Sequence, residues 1–420
     1  MSEMFKAPKG TYDIVPPRSE TWLAVRNALS KSAQLCGYDY IETPIFEDTQ
    51  LFIRGVGGST DVVNKEMYTF EDRSGRSLSL RPEGTAGVLR AMLENRLDRG
   101  ALPAKVWYCG PNFRYEQPQS GRYRQHTQVG VETIGSSDPA LDAEIIWMSV
   151  YGPREVLGLK QVRLLVNSLG CASCRPSYRT LLTEYLDKLD LDDATRSRAA
   201  VNPLRVLDDK REAVQAQLVS APLIGEHLCN DCRQHHDAVL KYLDIMGVEY
   251  ELAPKLVRGL DYYVRTTFEL VHDGLGAQSA IGGGGRYDGL VENLGGSDLP
   301  GIGFGLGVDR TCLAVESEQI DLTSGRRGSV FVIAPSAQSV EIGVRIASEL
   351  RTDGIQTEIA FDGRSMKSAM KSADRSGATF ALILGDDEVA RHEVTLKDLQ
   401  SGDQVSIPLE LLRQHLSERL

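Results

Sequence analysis

Between Val106 and Gly135 the chain reads VWYCGPNFRYEQPQSGRYRQHTQVGVETIG, and this pattern narrows the choice of fold more than any other stretch. Two strand-like runs, roughly 106–116 and 124–134, flank a polar loop holding Pro118 and Gly121, which predicts a β-hairpin. Side chains alternate across a strand, so Arg114 and Glu116 are expected on one face of the first run. On the second run His126, Gln128, Gly130 and Glu132 share a face, opposite Thr127, Val129, Val131 and Thr133. The latter face is ordinary core. The former is a row of charged and amide groups around a glycine gap, which is either a solvated sheet face or the lining of a polar ligand site. Arg122 and Arg124 add cations from the loop. Cations, carboxylates and an aromatic ring together suit a nucleotide phosphate plus a zwitterionic small molecule.

The 420 residues, 41% of them hydrophobic, suffice for two or three domains with real cores. No apolar run approaches the roughly 18 residues that span a bilayer. The opening MSEMFKAPKGTYDIVPP has neither an apolar signal core nor an arginine-rich transit pattern, so a soluble cytoplasmic protein with no membrane role is expected. Seven cysteines, four of them in two CxxC pairs, fit a reducing compartment better than a disulfide framework. A net charge of −11 excludes a protein that coats nucleic acid by bulk electrostatics, but not one that makes a few specific contacts.

Along the chain, Ser19 is a candidate cap for a helix running to Cys36, with Trp22, Val25, Leu29 and Ala33 at helical spacing and Gly37 ending it. YDYIETPIFEDTQLF is strand-like but interrupted at Pro44, which marks either a simple bend or a segment at a subunit boundary. MYTFEDRSGRSLSLRPEGTAGVLRAML predicts a hairpin turning at Ser74-Gly75, a strand ending near Leu80, and a helix opening at Glu83-Gly84-Thr85. Glu83 is a first-turn carboxylate favoured by the helix dipole, or a ligand group. A helix and a strand follow over residues 140–165. LVRGLDYYVRTTFELV and AQSAIGGGGRYDGLVENLGG then predict two strands either side of Asp273-Gly274. Four consecutive glycines mean either a close approach to that backbone or a flexible loop. Arg258, beside Tyr262 and Tyr263, is a fixed cation suited to developing phosphoryl charge. In GIGFGLGVDRTCLAVES a glycine-rich strand becomes a helix with Arg310 in its first turns, where a cation opposes the dipole and an anionic ligand would explain it. No Walker-type or Rossmann fingerprint occurs. Past a polar linker, alternating SVFVIA, IQTEIAF, FALILG and EVTLKDL with helices predicts a small α/β domain, whose 10 Lys and Arg against 14 Asp and Glu do not advertise RNA binding.

From about Leu169 to Gly247 the texture becomes polar and helix-rich, as in an inserted helical subdomain. Cys171-x-x-Cys174 and Cys229-x-x-Cys232 bracket it, a pairing that fits structural Zn2+. The 54 residues between the pairs, 175–228, exceed a compact knuckle, so the spacing favours plain reduced thiols and no metal is assigned.

Several runs together resemble one family, the bacterial histidyl-tRNA synthetases, over essentially the whole chain. FRYEQPQSGRYRQ resembles the second signature of class II aminoacyl-tRNA synthetases, GIGFGLGVDR the third, and YDYIETPIFE the weaker first, which builds a dimer interface. LVRGLDYYVRTTFE and GGGGRYDGL resemble segments peculiar to the histidine enzyme. The resemblance implies an α+β fold: a class II antiparallel sheet flanked by helices, an inserted helical subdomain and a C-terminal α/β anticodon-binding domain. The expected boundaries are 1–168 and 249–318 for the two parts of the catalytic domain, 169–248 for the insertion, 319–328 for the linker and 329–420 for the anticodon-binding domain.

The resemblance also implies an activity: ATP-dependent activation of L-histidine to an adenylate, then transfer to the 3′ end of tRNA(His), by a homodimer using ATP with Mg2+. Glu83, Thr85 and Gln128 would hold the histidine amino group, and Glu132 and Tyr263 its imidazole, with Tyr262 alongside. Arg114 would hold the α-phosphate, Glu116 the adenine amino group, Arg122 and Arg310 the outer part of ATP, and Arg258 the space between carboxylate and α-phosphate. Gln117 and Gln119 would meet the tRNA acceptor end. Two positions depart from the family's usual residues: His126 replaces a phenylalanine that stacks on adenine, and Gln117 replaces an arginine in the acceptor loop. The rival reading is the regulatory paralogue that partners ATP phosphoribosyltransferase and binds histidine. Such paralogues typically lack the C-terminal domain and erode the ATP-site arginines, whereas both are kept here.

Overall fold

The computed structural model describes residues 4–58, 60–209, 211–322 and 329–419. The chain divides into two compact units at Ile320/Asp321. Residues 323–328 of the expected linker lie outside the described residues.

The hairpin is the centre of the first unit. Strands Ala104–Phe113 and Gln125–Ile134 pair antiparallel from Ala104↔Ile134 to Phe113↔Gln125. They sit inside an eight-stranded sheet whose order is Asp39–Tyr40, Ala104–Phe113, Gln125–Ile134, Gly301–Gly307, Ala280–Arg286, Val264–His272, Val162–Ser168, Glu251–Leu252. Only the two short end strands pair parallel to their neighbours, Asp39–Tyr40 and Glu251–Leu252. The fold is thus the expected antiparallel sheet. The first hairpin strand stops three residues short of the expectation. After Phe113 the chain turns away, with Tyr115 N–H donating to Glu66 O at 2.7 Å and Glu116 N–H to Arg114 O at 2.8 Å. Arg114 and Glu116 therefore do not share a strand face, because both lie in the loop beyond the ladder.

Helix Arg18–Leu35 packs behind the sheet through Val25, Ala28, Leu29 and Ala33. Its N-cap is Pro17 with no side-chain cap bond, so Ser19 lies within the first turn instead of capping it. The segment around Pro44 is not one strand: Asp39–Tyr40 and Phe46–Asp48 belong to different sheets, and Asp48 accepts from Gln50 N–H to cap a helix, Thr49–Val56. The Ser74-Gly75 turn joins strands Thr69–Glu71 and Ser77–Leu80 in a small sheet, and helix Thr85–Glu94 opens where expected.

The insertion carries helices Arg175–Leu186, Asp193–Val201, Leu204–Leu207, Glu212–Gln217 and Asn230–Ile245. Tyr178, Leu182, Leu186, Leu207 and Leu218 form its core. The last helix meets Pro139–Tyr151 through a buried network: Asp142 pairs with Arg286 at 2.6 Å and with His235 Nε2 at 2.8 Å. No helix among the described residues is long and apolar enough to cross a membrane.

The second unit has a five-stranded sheet in the order Thr357–Ile359, Val330–Ile333, Phe380–Ile383, Glu393–Asp398, Gln404–Pro408. Its first three strands are parallel, as the α/β pattern predicts. Helix Ala337–Thr352 begins at a Ser336/Ser339 capping box and Met366–Ser376 at a Ser365 cap.

Candidate active site

Glycines on three neighbouring strands open a cavity of about 300 Å³ above the middle of the large sheet. Strands Ala280–Arg286, Gly301–Gly307 and Gln125–Ile134 lie side by side there, with Gly282 to Gly285, Gly303, Gly305 and Gly130 in register. A Cβ on Gly283 would fall 2.8 Å from Arg258 Nη1, and one on Gly303 would collide with the Glu132 carboxylate and the Val131 carbonyl. The glycine run is therefore a strand closely approached, not a flexible loop. The gap at Gly130 is not left for a ligand: Tyr108, its cross-strand partner, lays its ring over it.

Of the residues singled out in the sequence, Glu83, Thr85, Arg114, Glu116, Arg122, His126, Gln128, Arg258, Tyr262, Tyr263 and Arg310 line this one cavity. Gln117 and Gln119 do not; they are exposed on the loop outside it. Glu132 lies just beneath the wall, 1% exposed. Its carboxyl accepts from Tyr287 OH at 2.6 Å, Thr85 Oγ1 at 2.7 Å and Tyr108 OH at 3.3 Å. Burial pushes this carboxyl up to about 8, while the Tyr287 and Thr85 hydroxyls pull it back and Glu83 adds to the rise.

Glu83 is the first-turn carboxylate that the sequence allowed. Its two oxygens accept from the Thr85 and Ala86 N–H groups, at 2.7 and 2.9 Å, as a first-turn carboxylate does, and it also borders the cavity. Burial raises its pKa, and the helix N–H groups and Arg114 oppose that rise. Gln128 is oriented by Asn112 Nδ2, 2.7 Å from its Oε1.

The arginines are held in place from behind. Arg114 Nε donates to Pro82 O at 2.8 Å. Arg310, third residue of helix Val308–Ser317, donates to Gly121 O at 2.6 Å and Ala280 O at 2.8 Å. Burial, with Arg122 and Arg114 nearby, lowers its pKa, which marks a site short of negative charge. Arg258 pairs through Nη1 with Glu269 and lies 5.7 Å from the Tyr263 ring centre, but its buried Nε finds no acceptor among the described residues. Glu116 and Arg122 form an ion pair with each other across the loop.

His126 differs from the titratable residue that its type implied. Burial and the adjacent Arg114 and Arg310 push its imidazole down to about 3, so it presents a neutral ring to the cavity at physiological pH. Sequence reasoning missed Tyr108, Asn112, Glu269 and Tyr287. A signal existed for Glu269, a charge inside the strand-like run VRTTFELV, and for Tyr287 directly after the glycines. Tyr108 and Asn112 offered none, because a tyrosine and an asparagine on a sheet are usually surface or core residues.

Two CxxC pairs also converge. The Sγ atoms of Cys171, Cys174, Cys229 and Cys232 all lie within 4.8 Å of one another, the only such cluster of potential metal ligands among the described residues. The long separation that spoke against a shared site is irrelevant in space, because the insertion leaves and re-enters the domain at the same place.

A family model described as Histidyl-tRNA synthetase matches residues 10–311, and one described as Anticodon binding domain matches residues 329–419. The histidine–tRNA ligase of Rhodococcus erythropolis is 56% identical over 414 residues, covering 99% of this chain and 98% of its own length. That of Mycobacterium marinum is 58% identical over 403 residues, 96% of each chain. The crystal structure of apo histidyl-tRNA synthetase from S. aureus superposes with a TM-score of 0.81 at 35% identity, covering 98% of this chain and all of that one. With a family model over residues 10–311 and near full-length relatives at 56–58% identity, the chain belongs to the histidyl-tRNA synthetase family.

Proposed function

We propose that the cavity binds L-histidine and ATP, as its Mg2+ complex, side by side and joins them as histidyl-adenylate before transfer to tRNA(His). The observation that carries this reading is Arg258: a mostly sequestered guanidinium with one nitrogen paired to Glu269 and its buried Nε still unpaired, facing a cavity with Arg114 and Arg310. Unpaired buried donors are expensive unless a ligand satisfies them. A carboxylate and an α-phosphate meeting there would do so.

In the first step a histidine carboxylate oxygen attacks the α-phosphorus, the P–O bond to the β-phosphate breaks, and pyrophosphate leaves. Arg258 and Arg114 stabilise the charge that grows on the α-phosphoryl oxygens; positioning and cations supply most of the rate in such transfers. In the second, the terminal ribose hydroxyl of tRNA attacks the acyl carbon and AMP leaves. No enzyme nucleophile takes part. Glu83, Thr85 and Gln128 receive the amino group. The Glu132 carboxyl with Tyr263 addresses the ring nitrogens, so an amino acid with an apolar ring of equal size leaves buried groups unpaired and is rejected. His126, neutral, stacks on adenine, and Glu116 exchanges Arg122 for the adenine amino group while Arg122 turns to the outer phosphates.

Gln117 and Gln119, exposed on the loop beside the cavity, contact the tRNA acceptor end. The second unit takes the anticodon. A homodimer forms through the segment around Pro44, which leaves Tyr40, Ile45, Phe46 and Phe70 exposed at 53, 44, 52 and 43% in the single chain. Work in the cytoplasm fits cysteines kept as thiols. The rival, a histidine-binding regulatory subunit, is disfavoured by the full C-terminal unit and by near full-length identity to ligases.

The test is amino-acid-dependent exchange of labelled pyrophosphate into ATP. Exchange with histidine alone among the twenty amino acids supports the reading; histidine binding without exchange would establish the regulatory alternative instead.

A further inference from the structure

We infer that Cys171, Cys174, Cys229 and Cys232 bind one Zn2+ as a tetrathiolate, and that this metal fixes the loop from Arg258 to Tyr263 on which histidine binding depends. The distances are those of a ligand set. Cys171 Sγ lies 3.7 Å from Cys174 Sγ and 3.9 Å from Cys229 Sγ. Four sulfurs about 2.3 Å from a tetrahedral zinc stand about 3.8 Å apart. A disulfide would need roughly 2.05 Å, so these pairs sit at metal-sharing, not bonding, separation. A tetrahedral all-thiolate set suits zinc, or iron held by sulfur, and disfavours hard ions such as Mg2+ and Ca2+.

The surroundings suit thiolates. Cys174 and Cys229 are the N-cap residues of helices Arg175–Leu186 and Asn230–Ile245, so two helix N-termini converge on the cluster. The Cys229 N–H donates to Cys174 Sγ at 3.1 Å, the kind of outer contact that orients a ligand sulfur. Cys174 and Cys232 are 3% and 1% exposed. Cys171 and Cys229 are partly exposed, which leaves a path for metal entry.

The cluster closes the base of the insertion, and the insertion grips the histidine loop. Arg175, next to Cys174, donates to the Tyr263 carbonyl and, through Nε, to Leu169 O at 3.1 Å. Arg205 donates to Gly259 O and Asp261 Oδ1, both at 3.0 Å, and Asn202 donates to Asp261 Oδ1 at 3.1 Å. Without the metal, the two entry segments are tied only by hydrogen bonds and apolar contacts, and the grip on Gly259, Asp261 and Tyr263 loosens. This positioning role rests on the histidine-site reading above; the metal site itself does not.

The experiment uses the full-length chain purified in reductant without metal-affinity resin. Elemental analysis is expected to find about one zinc per chain, released as the four thiols are titrated with a mercurial. Cys171→Ser and Cys232→Ser lose the zinc, while Cys36→Ser keeps it. The zinc-depleted protein, whether a serine variant or chelator-treated wild type, shows a KM for histidine raised about tenfold or more with the KM for ATP within about twofold, and zinc restores the chelated wild type. Absence of zinc together with no uptake of added Zn2+, stoichiometric iron, or a disulfide in freshly reduced protein would each overturn the site. Loss of zinc with an unchanged histidine KM would overturn the positioning role. If no amino acid supports exchange at all, the proposed function fails while the zinc stoichiometry still decides the site.

Discussion

Removing Arg258 has two consequences that can be separated. Arg258 and Glu269 are 18 and 20% exposed and paired, so Arg258→Ala deletes the cation proposed to meet the α-phosphate and also strands a half-sequestered carboxylate. Loss of one preorganised donor to a developing oxyanion lowers kcat by about 10²–10³, or about 3–4 kcal/mol. Breaking a buried pair costs about 3 kcal/mol of stability, toward the low end of the range because both groups keep some solvent. For a unit of this size that is a fall in Tm of roughly 5 °C. The double variant Arg258→Ala/Glu269→Gln removes the stranded charge. Pyrophosphate exchange and differential scanning calorimetry on both variants distinguish the effects: the Tm returns in the double variant and the rate does not. Recovery of exchange to within about tenfold of wild type in the double variant would refute a direct role for Arg258 in the chemistry.

Glu132 gives the ligand-free protein a pH dependence. Its folded pKa, about 8, is raised above the carboxylate's ordinary value, so its stabilising contribution is complete below about pH 4.5 and is lost as pH rises through about 8. Glu132→Gln should flatten the Tm–pH profile over that interval, removing a slope of up to about 1.4 kcal/mol per pH unit; an unchanged slope would place the titration elsewhere. His126→Phe should leave the pH dependence of the KM for ATP unaltered between about pH 5.5 and 8, because the imidazole is already neutral there. Asp142→Asn leaves the fully buried Arg286 guanidinium with only the partly exposed Asp288 as counter-charge and should lower stability by about 3 kcal/mol in urea unfolding, with little change in KM for either substrate. Gly303→Ala drives a methyl into the Glu132 carboxylate and the Val131 carbonyl and should weaken histidine binding by calorimetry together with a loss of about 1–3 kcal/mol in stability.

The parts of this protein legible in its sequence were those written in local pattern. Alternation announced the hairpin and four of the five strands of the second unit, while the edge strand Gln404–Pro408 went unread. What escaped depended on distant chain. The end of the strand at Phe113 is set by Glu66, whose carbonyl captures Tyr115 N–H, and nothing near Phe113 says so. Glu116 and Arg122 were each read for a ligand, although six positions apart across a tight loop they first find one another. Nothing beside His126 in the chain announces its protonation, which burial decides first and Arg114 and Arg310, from other elements, second. The cysteines show the same limit most plainly: sequence distance was used as a proxy for spatial distance in a segment whose two ends coincide.

The glycine floor constrains how such an enzyme can change. Its bottom is main chain on Ala280–Arg286 and Gly301–Gly307, already touching Arg258, Phe304 and the backbone opposite. A floor without side chains cannot be retuned by swapping rotamers, and any side chain at Gly282, Gly283, Gly284 or Gly303 adds bulk where none fits. A lineage drifting toward another amino acid would have to rework the rim, through Tyr263 and the loop that the insertion grips, while the base of the pocket stays frozen.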